Sequence, residues 1–538
     1  VERYARAFRY LFDRRDGVSN HLAARWIFLR SLGLVYFSAF FALLFQIRGL
    51  IGATGVMPVE KYLSQLRVLG PGRIFYAPSV LWFGHSDAAL TLLVCVGIAA
   101  SMMVIANVLP RMALLVCFLC FLSFVAVSQD FGQYQSDGML LEAGFLALFL
   151  APGGLLPGWG RRSPPIRAAM WLLLWEWFRI YFQSGAVKLQ SGDPTWRNLT
   201  AMYEYYQNGP LPTWIGWYLQ HLPHWFHIAT AALTLIMELV LVWFAFAPRR
   251  WRIILFWIVT AWQAGVILTA NYAFLNYLVL ILGFLLLDDT YVLRFVPQRW
   301  RGGLLWNHDS TLLHEDDRQA GAALSARDTA PAWRLVPTLV CTLLLAWVGY
   351  VTIAELLLMF APHAPVPGLP IALAQPFRIA NQYGLFANMT PHRFEVEFQG
   401  SDDGQTWTPY QFRYKPQDVH ERPRVYAPYQ PRFDWNLWFA SLGPWQQSPI
   451  VPLTEVRLLA GDKDTLGLFG ANPFPRHPPR LVRAVLWQYW FSTQQQKRDN
   501  GVWWTRKLLG TFAPTVTRAA DGRYGIITNA DLAGPPAD

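Results

Sequence analysis

Nine runs of apolar residues punctuate this chain, at 28–47, 88–108, 112–128, 138–152, 167–187, 226–247, 251–270, 272–288 and 334–359. A helix needs about 20 such residues to cross the hydrocarbon of a bilayer, and most of the runs approach that length. The fourth and eighth are shorter, which suits a tilted or partly re-entrant segment supported by its neighbours. Only 15% of the 538 residues are charged, while 54% are hydrophobic and 16% aromatic. A soluble domain is nearer a quarter charged, so the expected fold is an α-helical multispanning membrane bundle of about nine spans rather than two or three soluble domains.

The arginines between the runs alternate. Arg3, Arg6, Arg9, Arg14, Arg15 and Arg25 precede the first run; Arg111, "RRSPPIR" (161–167), "PRRWR" (248–252) and Arg294, Arg299 and Arg301 occupy every second connection. The other connections, such as "DFGQYQSDG" (130–138) and "ANYAFLNY" (270–277), are poor in positive charge. The positive-inside rule then predicts a cytoplasmic N-terminus and an extracytoplasmic C-terminal region. The expected division is a basic amphipathic segment 1–27 with no cleavage site, a bundle 28–288, a polar cytoplasmic loop 289–333, a last helix 334–359 and an extracytoplasmic region 360–538. A net charge of +11 invites a nucleic-acid reading, but the arginines are scattered through short loops and form no basic face. No nucleic-acid partner is expected; membrane lipids are.

Beyond residue 375 the pattern becomes one of alternation. "HRFEVEFQGSDDGQTWTPYQFRYKP" (392–416) predicts a β-hairpin turning at Asp403-Gly404, and "EVRLLAG" (455–461) a further strand. "PRLVRAVLWQYWFST" (479–493) reads as a strand or a helix, and 417–450, rich in Pro, Tyr and Trp, as a long surface loop. Together these predict a small C-terminal β-sandwich.

The arginine alternation puts the most distinctive segments in one compartment: "LIGATGVMP" (50–58), "DFGQYQSDGMLLEAGF" (130–145), "KLQSGDPTW" (188–196), "YEYYQNGPLP" (203–212) and "NYAFLNY" (271–277). A site is therefore expected at the outer membrane face, roofed by 360–538. Ionisable residues inside spans are costly and need partners. Glu176 and Arg179 are three apart and are read as a structural pair. Glu142 is expected to meet Arg179 or Lys188, and Glu238 to find a cation on another helix or be neutral. Lys188 either snorkels to the interface or, buried beneath the outer loops, offers an amine as a base, with Asp193 and Trp196 shaping the wall. His221, His224 and His227 have metal-like spacing, but Pro223 interrupts them and no carboxylate adjoins. Cys95, Cys117, Cys120 and Cys341 all lie in apolar runs, so "CFLC" (117–120) reads as helix surface rather than a redox centre.

Several long segments, "YQSDGMLLEAGFLALFLAP", "SGAVKLQSGDPTWRNLTAMYEYYQNGPLP", "RIANQYGLFANMT" and "RVYAPYQPRFDWNLWFA" among them, resemble the lipase maturation factor family over roughly residues 20–515. The animal members are endoplasmic-reticulum membrane proteins with a lumenal C-terminal domain, needed for secreted lipases to reach active form. The resemblance implies a membrane-embedded maturation or folding factor for exported proteins, with an exported client such as a lipase. The texture suggests a bacterial inner-membrane member. "GAVKL" followed by "DPTW" is also similar to the vitamin K-dependent γ-glutamyl carboxylases, which places Lys188 on their catalytic lysine. Gln190-Ser191-Gly192 departs from that pattern. This remoter likeness implies an alternative, an enzyme with a quinone- or lipid-like cofactor. Its catalytic candidates are Lys188, Glu142 and Asp193, and its cofactor contacts Tyr134, Gln135, Asp137, Trp196, Asn271 and Asn276.

Overall fold

Each of the nine apolar runs is helical in the computed structural model, which describes residues 10–12, 18–297, 336–519, 522–527 and 531–535. The helices are α1 Leu22–Leu44, α2 Asp87–Ala106, α3 Pro110–Val125, α4 Gln135–Leu150 and α5 Arg167–Gln190. They continue with α6 His224–Leu239, α7 Arg249–Thr269, α8 Leu275–Gly283 and α9 Val336–Phe360. Five are long and apolar enough to cross a membrane: α1, α2, α6 with its extension to Phe246, α7 and α9. Leu233, Ile236, Trp257, Ile258, Leu339 and Leu343 lie exposed on three of these, as lipid-facing side chains should. The chain is an integral membrane protein. Most of the polar loop expected at 289–333, and residues 1–9 and 13–17, lie outside the described residues.

Local chemistry sets the helix ends. Asp289 caps α1 by accepting from the Leu22 and Ala23 amides at 2.8 and 2.7 Å, a carboxylate on unpaired helix N–H groups. Ser86 caps α2, Asn107 closes it in the left-handed conformation, and Pro110 opens α3 at a position that needs no amide donor. The first helix begins six residues before the expected run because Arg25 is no loop residue. It is buried, and its guanidinium donates to the carbonyls of Trp159, Gly160 and Ser163 at 2.6–3.0 Å.

The C-terminal region folds around one antiparallel sheet, ordered β2-β1-β3-β4-β5. Its strands are β1 Arg393–Ser401, β2 Thr408–Pro409, β3 Leu481–Phe491, β4 Trp504–Arg518 and β5 Tyr524–Ile527. The hairpin expected at Asp403-Gly404 joins β1 to β2, with Asp403 Oδ1 accepting from the amides of Gln405 and Thr406. Three expectations are corrected. "EVRLLAG" is no strand but the end of helix α11, Ile450–Ala460, after α10, Arg432–Ala440, which interrupts the loop expected at 417–450. Ile450, Val451, Thr454, Glu455, Leu458 and Leu459 are buried at helical spacing, and Gly461 at φ 72° ends the helix. A seven-residue window is too short to reveal that period. Both helices pack against the sheet, so the described residues hold a single sheet covered by helices where a two-sheet sandwich was expected.

The loops at one end of the bundle hold this domain, and the arginine-bearing connections gather at the other. Gln46 donates to the Gln430 carbonyl at 2.9 Å and accepts from the Arg432 amide at 2.8 Å. Thr54 donates to Asp464 at 2.8 Å, and Asn208 to the Thr390 carbonyl at 2.7 Å.

Candidate functional site

The distinctive segments do converge, and most of their polar side chains fasten the bundle to the chain that follows α9. Helices α5 and α6 touch at Gly185, where a Cβ would stand 2.8 Å from the Cβ of Glu238. Three residues further on, Lys188 therefore faces Glu238, its Nζ 2.8 and 3.0 Å from the two carboxylate oxygens. The same nitrogen donates to the Leu385 carbonyl at 3.0 Å, and the Trp196 ring lies 5.1 Å away. The indole of Trp196 donates to the Phe386 carbonyl at 3.0 Å. An ammonium has three hydrogens, and here Glu238 and Leu385 supply acceptors for them. Lys188 is buried beside a cavity among α5, α6, α7 and α8, and it ties α5, α6 and the 385–386 segment together.

A second buried knot lies on the other side of α5. Arg179 pairs with Glu142, both fully buried, and donates to the Asn381 carbonyl at 2.6 Å. The other Glu142 oxygen accepts from the Asn381 amide at 2.9 Å and from the Tyr383 hydroxyl at 2.8 Å. The expected Glu176–Arg179 pair is thus replaced by Glu142–Arg179, and neither Glu176 oxygen has a hydrogen-bond partner. Asn381 accounts for the choice, because Arg179 and Glu142 must both face the segment that Asn381 anchors. A Cβ at Gly138 would come 2.8 Å from the Asn381 side chain, so glycine is what admits it.

The remaining candidates separate into ties and wall residues. Asp137 forms a two-pronged ion pair with Arg432, both bonds 2.7 Å. Asn271 spends all its hydrogen-bonding capacity on backbone, donating to Leu211 and Arg424 carbonyls and accepting from the Tyr426 and Ala427 amides. Asp193 accepts from Thr195 and from the Met389 amide at 2.6 Å. Partial burial raises its carboxyl, but these hydrogen bonds outweigh it and hold the group below its ordinary value, as befits a loop staple rather than an acid. Gln135 accepts from the Gly384 amide at 3.0 Å, and Tyr134 donates to the Arg432 carbonyl at 3.2 Å. The three histidines form no metal-binding group among the described residues; His221 turns its nitrogens to the Trp217 and Ser492 carbonyls.

Between the two halves lies a cleft of about 820 Å³, walled by Tyr134, Gln135, Tyr272, Phe386, Trp435 and Phe439 among others. Aromatic side chains, Trp435 and Trp438 among them, share this lining with polar ones such as Gln133, Asn388, Asn436 and Gln447, and the indole nitrogens of both tryptophans are buried without a hydrogen-bond partner. Among the residues lining it, Asp130 is the one carboxylate, and no lysine, arginine or histidine joins it. Such a cleft can bind apolar side chains and backbone carbonyls; it offers no acid–base or nucleophile–base pair. Arg432, Asn381, Tyr383, Trp435 and Trp438 were not singled out as site residues from sequence. The signal was there, since "RIANQYGLFANMT" and "RFDWNLWFA" are compositionally odd, but nothing local says what they touch.

A helical membrane bundle fastened through a buried ion pair and buried hydrogen bonds to a sheet-and-helix domain, with a cleft at the joint, defines the class: a multi-helix membrane protein with a C-terminal domain docked on its bundle. A family profile described as the lipase maturation factor transmembrane domain matches residues 23–294, and one described as the lipase maturation factor C-terminal domain matches 379–514. Lipase maturation factor 1 of Bos taurus is 32% identical over 92% of this chain and 89% of its own length. Lipase maturation factor 2 of Gallus gallus is 32% identical over 92% and 81%, and lipase maturation factor 1 of Homo sapiens 31% identical over 92% and 88%. No solved structure matches. The chain belongs to the lipase maturation factor family, and is by that membership a membrane maturation factor.

Proposed function

We propose that this chain assists the folding or assembly of an exported protein, such as a lipase, which it holds in the cleft between the bundle and the domain. The carrying observation is the cleft itself: about 820 Å³, lined by aromatic and amide side chains from both halves, and without a catalytic pair among its lining residues. An unfinished client exposes apolar side chains and unpaired carbonyls, and the cleft offers aromatic faces and the exposed amides of Gln133, Asn388 and Gln447 for them. The names of the relatives supply the client class. The finer topology belongs to the same reading. All nine helices cross, the N-terminus is cytoplasmic, and the domain from residue 360 onward faces the extracytoplasmic side, where an exported client folds.

Phe439 is 47% exposed and lines the cleft, so Phe439→Ser leaves the core untouched. Co-expression with an exported lipase should yield about fivefold less lipase activity per molecule secreted, at an unchanged thermal midpoint of the factor. Unchanged lipase activity with Phe439→Ser and with Trp438→Ala would remove the cleft from client handling.

A further inference from the structure

A second cavity, of about 270 Å³, lies among α5, α6, α7 and α8, on the far side of Leu275, Leu385 and Phe386 from the cleft. We propose that it binds a neutral, single-chain lipid with a hydroxyl head, taken up sideways from the bilayer.

Three observations carry this. The first is an unsatisfied amide. Gln263, 6% exposed on α7, donates to the Tyr181 hydroxyl at 2.6 Å, and its carbonyl oxygen, in a side chain that lines the cavity, has no partner. Whichever way the amide is turned, one polar atom remains unpaired, so the site calls for a hydrogen-bonding group. Asn276, 5% exposed on α8, lines the same space with a second amide. A hydroxyl can donate to the unpaired Gln263 oxygen and accept from an amide N–H.

Charge is the second. Lys188 and Glu238 are the charged residues of the lining, and they neutralise each other at 2.8 Å. An anionic or cationic head would find no counter-charge there, whereas a neutral one needs none.

The third is the wall and its opening. Val266, Leu275, Val279, Trp262, Phe226 and Phe386 make most of the lining apolar. The volume equals that of about nine waters, room enough for a short stretch of chain beside the polar groups. Ala261 and Gly265, one turn apart on α7, line the cavity yet are exposed, and a Cβ on Gly265 would meet nothing within 4 Å. Since α7 is one of the five long apolar helices, this gap between small residues opens onto lipid. The inference is independent of the client reading, because it concerns the inner cavity and not the cleft.

The test uses the full chain in phosphatidylcholine nanodiscs with three photoreactive probes of equal length: a diazirine-bearing hexadecanol, the corresponding fatty acid and the corresponding trimethylammonium. The alcohol should label residues around 261–266 and 275–279 and be displaced by unlabelled hexadecanol. Gly265→Phe, which projects into open space, should lower that labelling about tenfold. Gln263→Leu should weaken the apparent affinity about tenfold, the loss of one buried hydrogen bond. Labelling spread evenly over the lipid-facing side of α7, labelling unaffected by Gly265→Phe, or equal labelling by the charged probes would overturn the proposal.

Discussion

Arg432, in the C-terminal domain, sets its two terminal nitrogens on the two carboxylate oxygens of Asp137, at the start of a bundle helix, each at 2.7 Å. One of them also donates to the Phe131 carbonyl at 2.6 Å, and both side chains are buried. Removing one partner leaves the other charged and buried, which costs about 3–5 kcal/mol. Arg432→Ala and Asp137→Ala should each lower the thermal midpoint in detergent sharply. Arg432→Lys should recover only part of the loss, because an ammonium cannot reproduce the planar fork. Full recovery by lysine would mean that charge alone matters at this joint.

Lys188 and Glu238 make a sharper case, because the same lysine is also open to a catalytic reading. A structural pair predicts strong coupling: Lys188→Met and Glu238→Gln each destabilise, while the double variant loses less than their sum by about 1–3 kcal/mol. Thermal unfolding of the four proteins measures this. Additive effects would contradict the pairing.

The contact at Gly185 underlies that pair. Gly185→Val would press against Glu238 and Leu239, where even a Cβ stands 2.8–3.0 Å from their side-chain atoms. Separating α5 from α6 should cost about 1–3 kcal/mol and weaken the coupling just described. A variant as stable as the parent would show that the helices can part without loss.

Asp434 gives the domain a pH dependence. Burial pushes its carboxyl up to about 7, although Lys415 beside it pulls the other way. A carboxyl raised in the folded state holds a proton that the unfolded chain releases, so stability falls as pH rises from the ordinary 3.8 through about 7. The thermal midpoint should drop between about pH 5 and about pH 8, and drop less in Asp434→Asn. An identical slope in both proteins would place the dependence elsewhere.

The helices were legible because an apolar run is a local property, whereas the ties were not because their partners are remote. Glu238 announced that it needed a cation on another helix, and Lys188 is that cation, 50 residues away. Arg179 had two expected partners, Glu176 one turn back and Glu142 on another helix; Glu142 takes it, together with Asn381, 202 residues on. Spacing along one helix could not foresee a partner arriving from beyond the ninth. The misread α11 has a related cause: its buried face shows only when ten or more residues are read together, and the strand-like texture around it favoured a short window. Of the candidates, Tyr134 and Gln135 line the cleft and Lys188, Trp196 and Asn276 the inner cavity, whereas Glu142, Asp137, Asn271 and Asp193 serve the joint.

The claim that the client occupies the joint on the domain's side is tested most directly by placing a photoreactive phenylalanine analogue at position 439 and, separately, at Leu156, which is 70% exposed at the opposite end of the bundle. In cells making an exported lipase, position 439 should cross-link to newly made lipase and position 156 should not. Cross-links from 156 alone, or from neither while the lipase still matures, would contradict it.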